Sequence, residues 1–197
     1  IMDIGSFIKP METEYLYELW ITLKLALAST ITLVLVGVPV GWWLARTRWR
    51  FRCLAEAVIA LPIVLPPSVL GFYLLVLLGA NSPCSAFFKA TGIGPFAFSF
   101  TGLVIGCVIH SLPFVVRPIQ SAFASIDERL LEAASTLRAS PFDRFFTIVL
   151  PLTRRSIMAA AGLGFANSLG SFGVVLMVGG NIPGETRVLS VAIYNHV

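Results

Sequence analysis

The sequence predicts an all-α, polytopic membrane helix bundle, and three observations carry that prediction. Of 197 residues, 57% are hydrophobic and only 12% charged, where an ordinary soluble domain is roughly a quarter charged. The apolar residues fall in long runs separated by short charged segments. A bilayer admits such runs only as helices or closed barrels, because every backbone polar group must be satisfied internally. None of the runs alternates with the period of two that a barrel strand needs. Residues 1–197 therefore read as a single transmembrane domain with four spanning helices visible.

The first band runs from about Leu19 to Ala45 and ends on the interfacial pair Trp42 and Trp43. The residues before it carry Asp3, Glu12, Glu14 and Glu18 against Lys9, so they lack the basic start of a cleaved signal peptide, and the band is retained. The second, about Leu54 to Leu78, holds Pro62, Pro66 and Pro67, which remove backbone donors and break or kink the helix. The third spans about Phe100 to Val116 and the fourth about Ile157 to Val178. Between the second and third, Gly79 to Ser99 reads as turn chemistry, with Asn81, Ser82, Pro83, Gly92, Gly94 and Pro95.

Net charge is +4, and its distribution speaks of topology before nucleic acid, for which nothing in the pattern argues. Arg46, Arg48, Arg50 and Arg52 follow the first band, and Arg117, Arg129, Arg138, Arg144, Arg154 and Arg155 follow the third. These are ten of the fourteen cations, so both loops face the cytoplasm and the amino terminus lies outside. Cys53, Cys84 and Cys107 show neither disulfide nor zinc spacing and read as small packing residues.

The segment from Arg117 to Arg155 is longer than a connector between two spanning helices needs. Ser125-Ile126-Asp127-Glu128 has the S-x-x-E spacing of a capping box, and Ile126, Leu130, Ala133 and Leu137 follow as one apolar helix face. A second start stands at Ser140-Pro141-Phe142-Asp143, with a serine N-cap, proline in the first turn and an acid after it. Phe142, Phe145, Phe146 and Val149 form its stripe, and Leu150-Pro151 ends it before the fourth band. The pattern predicts two short amphipathic helices joined by a corner at Arg138 to Ser140. An interfacial hairpin on lipid headgroups and a docking surface for a protein both fit. Asp127, Glu128 and Glu132 favour the protein, since a surface-lying helix sets Lys and Arg beside anionic lipid.

Glu132-Ala133-Ala134, followed after a spacer by Ile148-Val149-Leu150-Pro151, resembles the EAA loop of ABC-importer permeases. From about Leu19 to Val197 the chain is similar to the molybdate permease subfamily. The motifs are Leu61-Pro62-Ile63-Val64-Leu65-Pro66-Pro67-Ser68-Val69-Leu70-Gly71, Phe98-Ser99-Phe100, and Gly179-Gly180-Asn181-Ile182-Pro183-Gly184-Glu185-Thr186-Arg187. Sulfate and thiosulfate permeases share the plan and resemble the last motif less.

The resemblance implies a type I ABC-importer permease fold in a bacterial or archaeal plasma membrane, with a further spanning helix missing after Val197. It implies a permease for a tetrahedral oxyanion, most closely molybdate, working as a homodimer with two cytoplasmic ATPase subunits and an external oxyanion-binding protein. No cofactor is expected on this chain, which has no G-x-x-x-x-G-K-[ST] loop; ATP and Mg belong to the ATPase. The implied coupling residues are Glu132, Ala133, Ala134, Arg138, Ser140, Pro141, Phe142, Phe145, Phe146, Leu150 and Pro151. Arg138 stands where the family has Gly, so the corner is expected to move to Ala139-Ser140 or change geometry. Asn167 and Ser171 stand where related permeases show Arg and Glu.

A translocation path must offer an oxyanion hydrogen-bond donors without a deep charged trap. Asn167, Ser168 and Ser171 on the fourth band, with Ser68 beside the proline break, supply such donors. The same small residues, with glycines 162, 164, 170 and 173, equally serve close helix packing. His110 stands alone late in the third band and reads as a packed polar residue. An ATP-independent secondary transporter would show inverted repeats and intramembrane ionisable residues, and a membrane enzyme a convergent polar constellation; the sequence displays neither.

Overall fold

The computed structural model describes residues 4–79, 82 and 96–196, and all regular structure among them is helical. The first band belongs to one long helix, α1 (Ile4–Arg46). Its 32 residues from Tyr15 to Arg46 are apolar enough to cross a membrane. At about 1.5 Å per residue they outrun a hydrocarbon core of about 30 Å, so the helix tilts or projects beyond it. Within it Thr22, Thr30 and Thr32 donate to the carbonyls of Glu18, Ala26 and Ala28 at 2.7, 2.6 and 2.9 Å, which satisfies these three hydroxyls inside the helix.

The second band breaks where the prolines predict. Helices α2 (Arg52–Val64) and α3 (Pro67–Leu78) meet at 111°. Leu65 and Pro66 lie in extended backbone, with ψ of 135° and 138°. Each precedes a proline, whose ring drives the preceding residue out of the α region. Pro62, with no second proline after it, stays buried inside α2. Most of the predicted turn segment, including Asn81, Pro83, Cys84, Gly92, Gly94 and Pro95, lies outside the described residues.

The third band extends past its predicted end at Val116: α4 (Phe100–Ala124) carries Pro113 and Pro118 within it and takes Arg117 into the helix. Next come α5 (Glu128–Thr136) and α6 (Pro141–Arg144), then one π turn at Phe145–Val149 and α7 (Leu150–Gly170). Leu150-Pro151 therefore does not end a helix, contrary to expectation. A proline inside an α-helix clashes with the carbonyl four residues back. The π turn, closed by the Leu150 amide on the Phe145 carbonyl, widens the coil just before Pro151 and carries the helix through. Pro141–Gly170 is thus one 30-residue rod of spanning length.

The fourth band is not single either. The rod stops at Ser171, whose ψ of 88° leaves the helical range, and a half-helix, α8 (Phe172–Gly179), continues to the glycine pair before α9 (Leu189–His196). By length and composition the described residues hold three spanning helices, or four if the bent α2–α3 pair is one span.

Helices α1, α4 and α7 pack around Leu33, Val115, Ile119, Phe123, Val149 and Ala160, while α3 and α8 share Leu70, Leu74, Val174 and Val178. Small residues set the approach, as membrane helix interfaces require. A Cβ at Gly164 would stand 2.7 Å from Val115 Cγ2 and 3.3 Å from Leu33 Cδ1, so α1, α4 and α7 converge there. Of the four glycines expected to mediate packing, Gly164 and Gly173 do so, whereas Gly162 and Gly170 have nothing within 4 Å. Leu27, Ile31 and Leu35 form an exposed apolar stripe along α1, a surface suited to lipid rather than water.

Candidate translocation path and coupling segment

Two broken helices meet inside the bundle. The start of α8 lies against the start of α3: a Cβ at Gly173 would be 3.0 Å from the Ser68 amide and 3.1 Å from Pro67 Cβ. Beside this junction is a cavity of about 440 Å³ lined by Pro67, Ser68, His110, Gly170, Ser171, Phe172, Gly173, Leu176 and Met177. It therefore gathers Ser68 and Ser171 of the four predicted path residues.

The other two face elsewhere. Asn167 donates from Nδ2 to Ser111 Oγ on α4 at 2.9 Å, and Ser168 is buried with its hydroxyl unpaired. Ser171 donates to the Ser168 carbonyl at 2.9 Å and sits 3.4 Å from Cys107 Sγ. A neutral polar seam thus ties α4 to α7. The cavity also contains His110, which the sequence reading took for a packed polar residue. Only the meeting of α3, α4 and α8 places it on the cavity wall.

On the side of the arginine loops, α5 carries Glu132 and Ala133 exposed and Ala134 buried. The apolar period was predicted correctly but the face was not. Ile126 and Ala134 are buried and Leu131 packs on the core, while Leu130 and Leu137 are 49% and 83% exposed. The cap explains the shift: Asp127, not Ser125, begins the helix, accepting from the Arg129 amide at 3.0 Å, while Ser125 donates back to the Ala122 carbonyl at 2.8 Å. The true capping box is the second site, where Ser140 Oγ accepts from the Asp143 amide at 3.1 Å and Asp143 Oδ2 accepts from the Ser140 amide at 3.2 Å.

The corner between them stays on Arg138. Its φ is +60°, and the amides of Arg138 and Ala139 close on the carbonyls of Ser135 and Ala134 at 3.0 and 3.2 Å, a Schellman ending with arginine where glycine is usual. The expected move to Ala139-Ser140 does not occur, because those two hydrogen bonds and the Ser140 cap hold the geometry. A left-handed residue with a Cβ is strained, so Arg138→Gly is expected to stabilise the subunit by about 1 kcal/mol. A thermal unfolding midpoint in detergent that fails to rise would contradict this.

The phenylalanine stripe divides in two. Phe145 packs inward, its ring 5.4 Å from Trp42 and 6.2 Å from Phe123, whereas Phe142 and Phe146 are 78% and 59% exposed. Leu150 and Pro151 continue the rod above Val149. Arg46 stacks on Trp42 at 5.1 Å and pairs with Glu128 at 3.3 Å, which holds the start of α5 to the end of α1.

At the far end of the bundle, the segment Gly179 to Arg187 is a clasp, a role invisible in its composition. Left-handed Gly180, Asn181 and Gly184 reverse the chain. Thr186 bonds the Gly179 carbonyl, Arg187 Nε donates to Asn181 Oδ1 at 2.9 Å, and the Leu189 amide donates to Thr22 Oγ1 on α1 at 2.9 Å. Arg187 also reaches Glu18 at 3.8 Å.

Comparison with known proteins fits this architecture. The chain is 53% identical over 188 residues to the molybdenum transport system permease protein ModB of Azotobacter vinelandii, covering 95% of this chain and 83% of that protein. It is 39% identical over 180 residues to ModB of Escherichia coli, covering 89% and 78%. A chain of the MetNI methionine ABC transporter, solved in inward-facing conformations, shares the fold with a TM-score of 0.74 at 19% identity, over 95% of this chain and 82% of that one. The all-α type I importer fold read from the sequence is therefore the observed one. Residues 37–196 match a further description, and with it the chain belongs to the family of binding-protein-dependent transport system inner membrane components.

Proposed function

We propose that this chain is the membrane-spanning permease subunit of an ATP-driven importer whose cargo is molybdate. The observation that carries the mechanism is the continuous rod Pro141–Gly170, which begins in the exposed coupling segment and ends at Ser171 on the cavity. A push on Phe142 and Phe146 is delivered along a stiff helix to the break where α7 gives way to α8. The molybdate assignment draws on the relative that is 53% identical and bears that name.

The subunit acts as a homodimer in a bacterial or archaeal inner membrane, amino terminus outside, as the arginine loops indicate. Two ATPase subunits bind ATP and Mg and dock on Glu132, Ala133, Leu137, Phe142 and Phe146, the exposed part of the coupling segment. Ala134 and Phe145 seat that surface on the bundle. An external binding protein delivers the anion. Moving a charged oxyanion through hydrocarbon costs several kcal/mol even after relaxation. In the cavity, the Ser68 hydroxyl and the free first-turn amides of α3 and α8 offset this cost without a fixed positive charge that would trap the anion.

The test is ATP hydrolysis by the chain reconstituted with its genomic neighbour ATPase, with binding protein loaded with molybdate or sulfate. Several-fold stimulation by the molybdate-loaded protein alone is expected. Stimulation by the sulfate-loaded protein moves the cargo, and none by either returns the ATP-independent transporter.

A further inference from the structure

We propose that His110 is a cargo-contacting residue of the path, donating a hydrogen bond from Nε2 to the oxyanion as it passes the cavity between the two helix breaks. The ring lines that cavity with Ser68 and Ser171, and no Asp, Glu, Lys or Arg does. Its Nδ1 is fully buried without a hydrogen-bond partner, so the nitrogen that reaches the cavity is Nε2. A buried N–H without an acceptor is the rarer and costlier defect than a buried lone pair, so the proton of the uncharged ring belongs on Nε2. The cavity therefore receives a donor with nothing among the described residues to accept it.

The aim of this donor is fixed from α4 itself. Cys107, one turn earlier on the same face, contacts Ser171, and the adjacent Ser111 accepts from Asn167. Both are fully buried, so α4 cannot rotate against α7 without breaking the seam. Apart from Ser68, Ser171 and His110, the lining side chains are Pro, Phe, Leu and Met, with glycine backbone between them. Packing alone gives no reason for an imidazole here, whereas an anion with four acceptor oxygens does. A donor without net charge stabilises the anion in passage and lets it leave.

The inference rests on the import reading above, and the experiment separates the two. Wild type, His110→Leu and His110→Gln are reconstituted with the ATPase and molybdate-loaded binding protein, and radiolabelled molybdate uptake is followed beside ATP hydrolysis. Loss of one hydrogen bond to a charged group predicts uptake reduced about tenfold or more in His110→Leu. Stimulated ATP hydrolysis should persist in that variant. His110→Gln, which keeps an N–H donor, should recover most of the uptake. Wild-type uptake in His110→Leu overturns the assignment, as does joint loss of uptake and stimulation in both variants, which is the signature of packing. If wild type imports no molybdate, the import reading falls and the His110 assignment falls with it. Independently, His110→Cys in a chain with its other cysteines replaced should react with a small anionic methanethiosulfonate in at least one nucleotide state. A thiol unlabelled in every state also overturns the proposal.

Discussion

Glu132→Lys is expected to leave the subunit inserted and assembled while cutting ATP-driven uptake at least tenfold. Glu132 is exposed on α5, and its side chain forms no hydrogen bond or ion pair with the described residues. Exposed substitutions away from such contacts change stability by about 0.5 kcal/mol or less. A large loss of function must then come from outside the chain, where reversing a charge in a docked surface sets like charges together. Uptake and ATP hydrolysis measured at equal expression decide the matter, and normal uptake would falsify the docking role. Ala134→Trp reaches a similar endpoint by another route. Ala134 is 9% exposed beneath the same helix, so the larger ring lifts α5 from its seat. Limited proteolysis should show α5 cleaved faster in Ala134→Trp and unchanged in Glu132→Lys.

The second large effect is expected at Gly71→Leu. Even a Cβ there would stand 2.9 Å from Met177 Cβ, 3.1 Å from Val174 Cα and 3.2 Å from the Gly173 carbonyl. Two of those atoms are backbone, which cannot swing away, so α3 and α8 must separate. Overpacking typically costs about 1–3 kcal/mol, and a clash with backbone belongs at the upper end. The thermal unfolding midpoint should fall clearly and uptake should be lost, since the α3–α8 junction borders the cavity. Gly162→Leu is the matched control, because nothing lies within 4 Å of a Cβ at Gly162. Equal behaviour of the two variants would show that the junction does not govern stability.

The spans were legible because hydropathy and backbone satisfaction leave few ways to cross a bilayer. The break at Leu65 and Pro66 was legible because two consecutive prolines act through local sterics alone. Four features were not. The break at Ser171 has no proline to announce it, and Gly170 and Gly173 beside it are equally at home in helix packing. The π turn that carries the rod past Pro151 depends on Phe145 and Val149 being held in the core. Arg138 keeps a left-handed corner because neighbouring hydrogen bonds outweigh its own strain. The buried face of α5 is about one residue from the apolar face that periodicity selected, since Asp127 starts the helix later than Ser125 would.

Composition, proline placement and charge asymmetry were thus enough to establish a membrane bundle, the location of its proline break and the family to which its motifs belong. Which faces touch, and therefore which residues border the cavity, came from the folded arrangement. In lipid both faces of α3 and α8 are apolar, so hydropathy carries no direction, and partners are chosen by fit. Gly71 and Gly173 bring two backbones together, that approach opens the cavity, and His110 on a third helix becomes part of its wall.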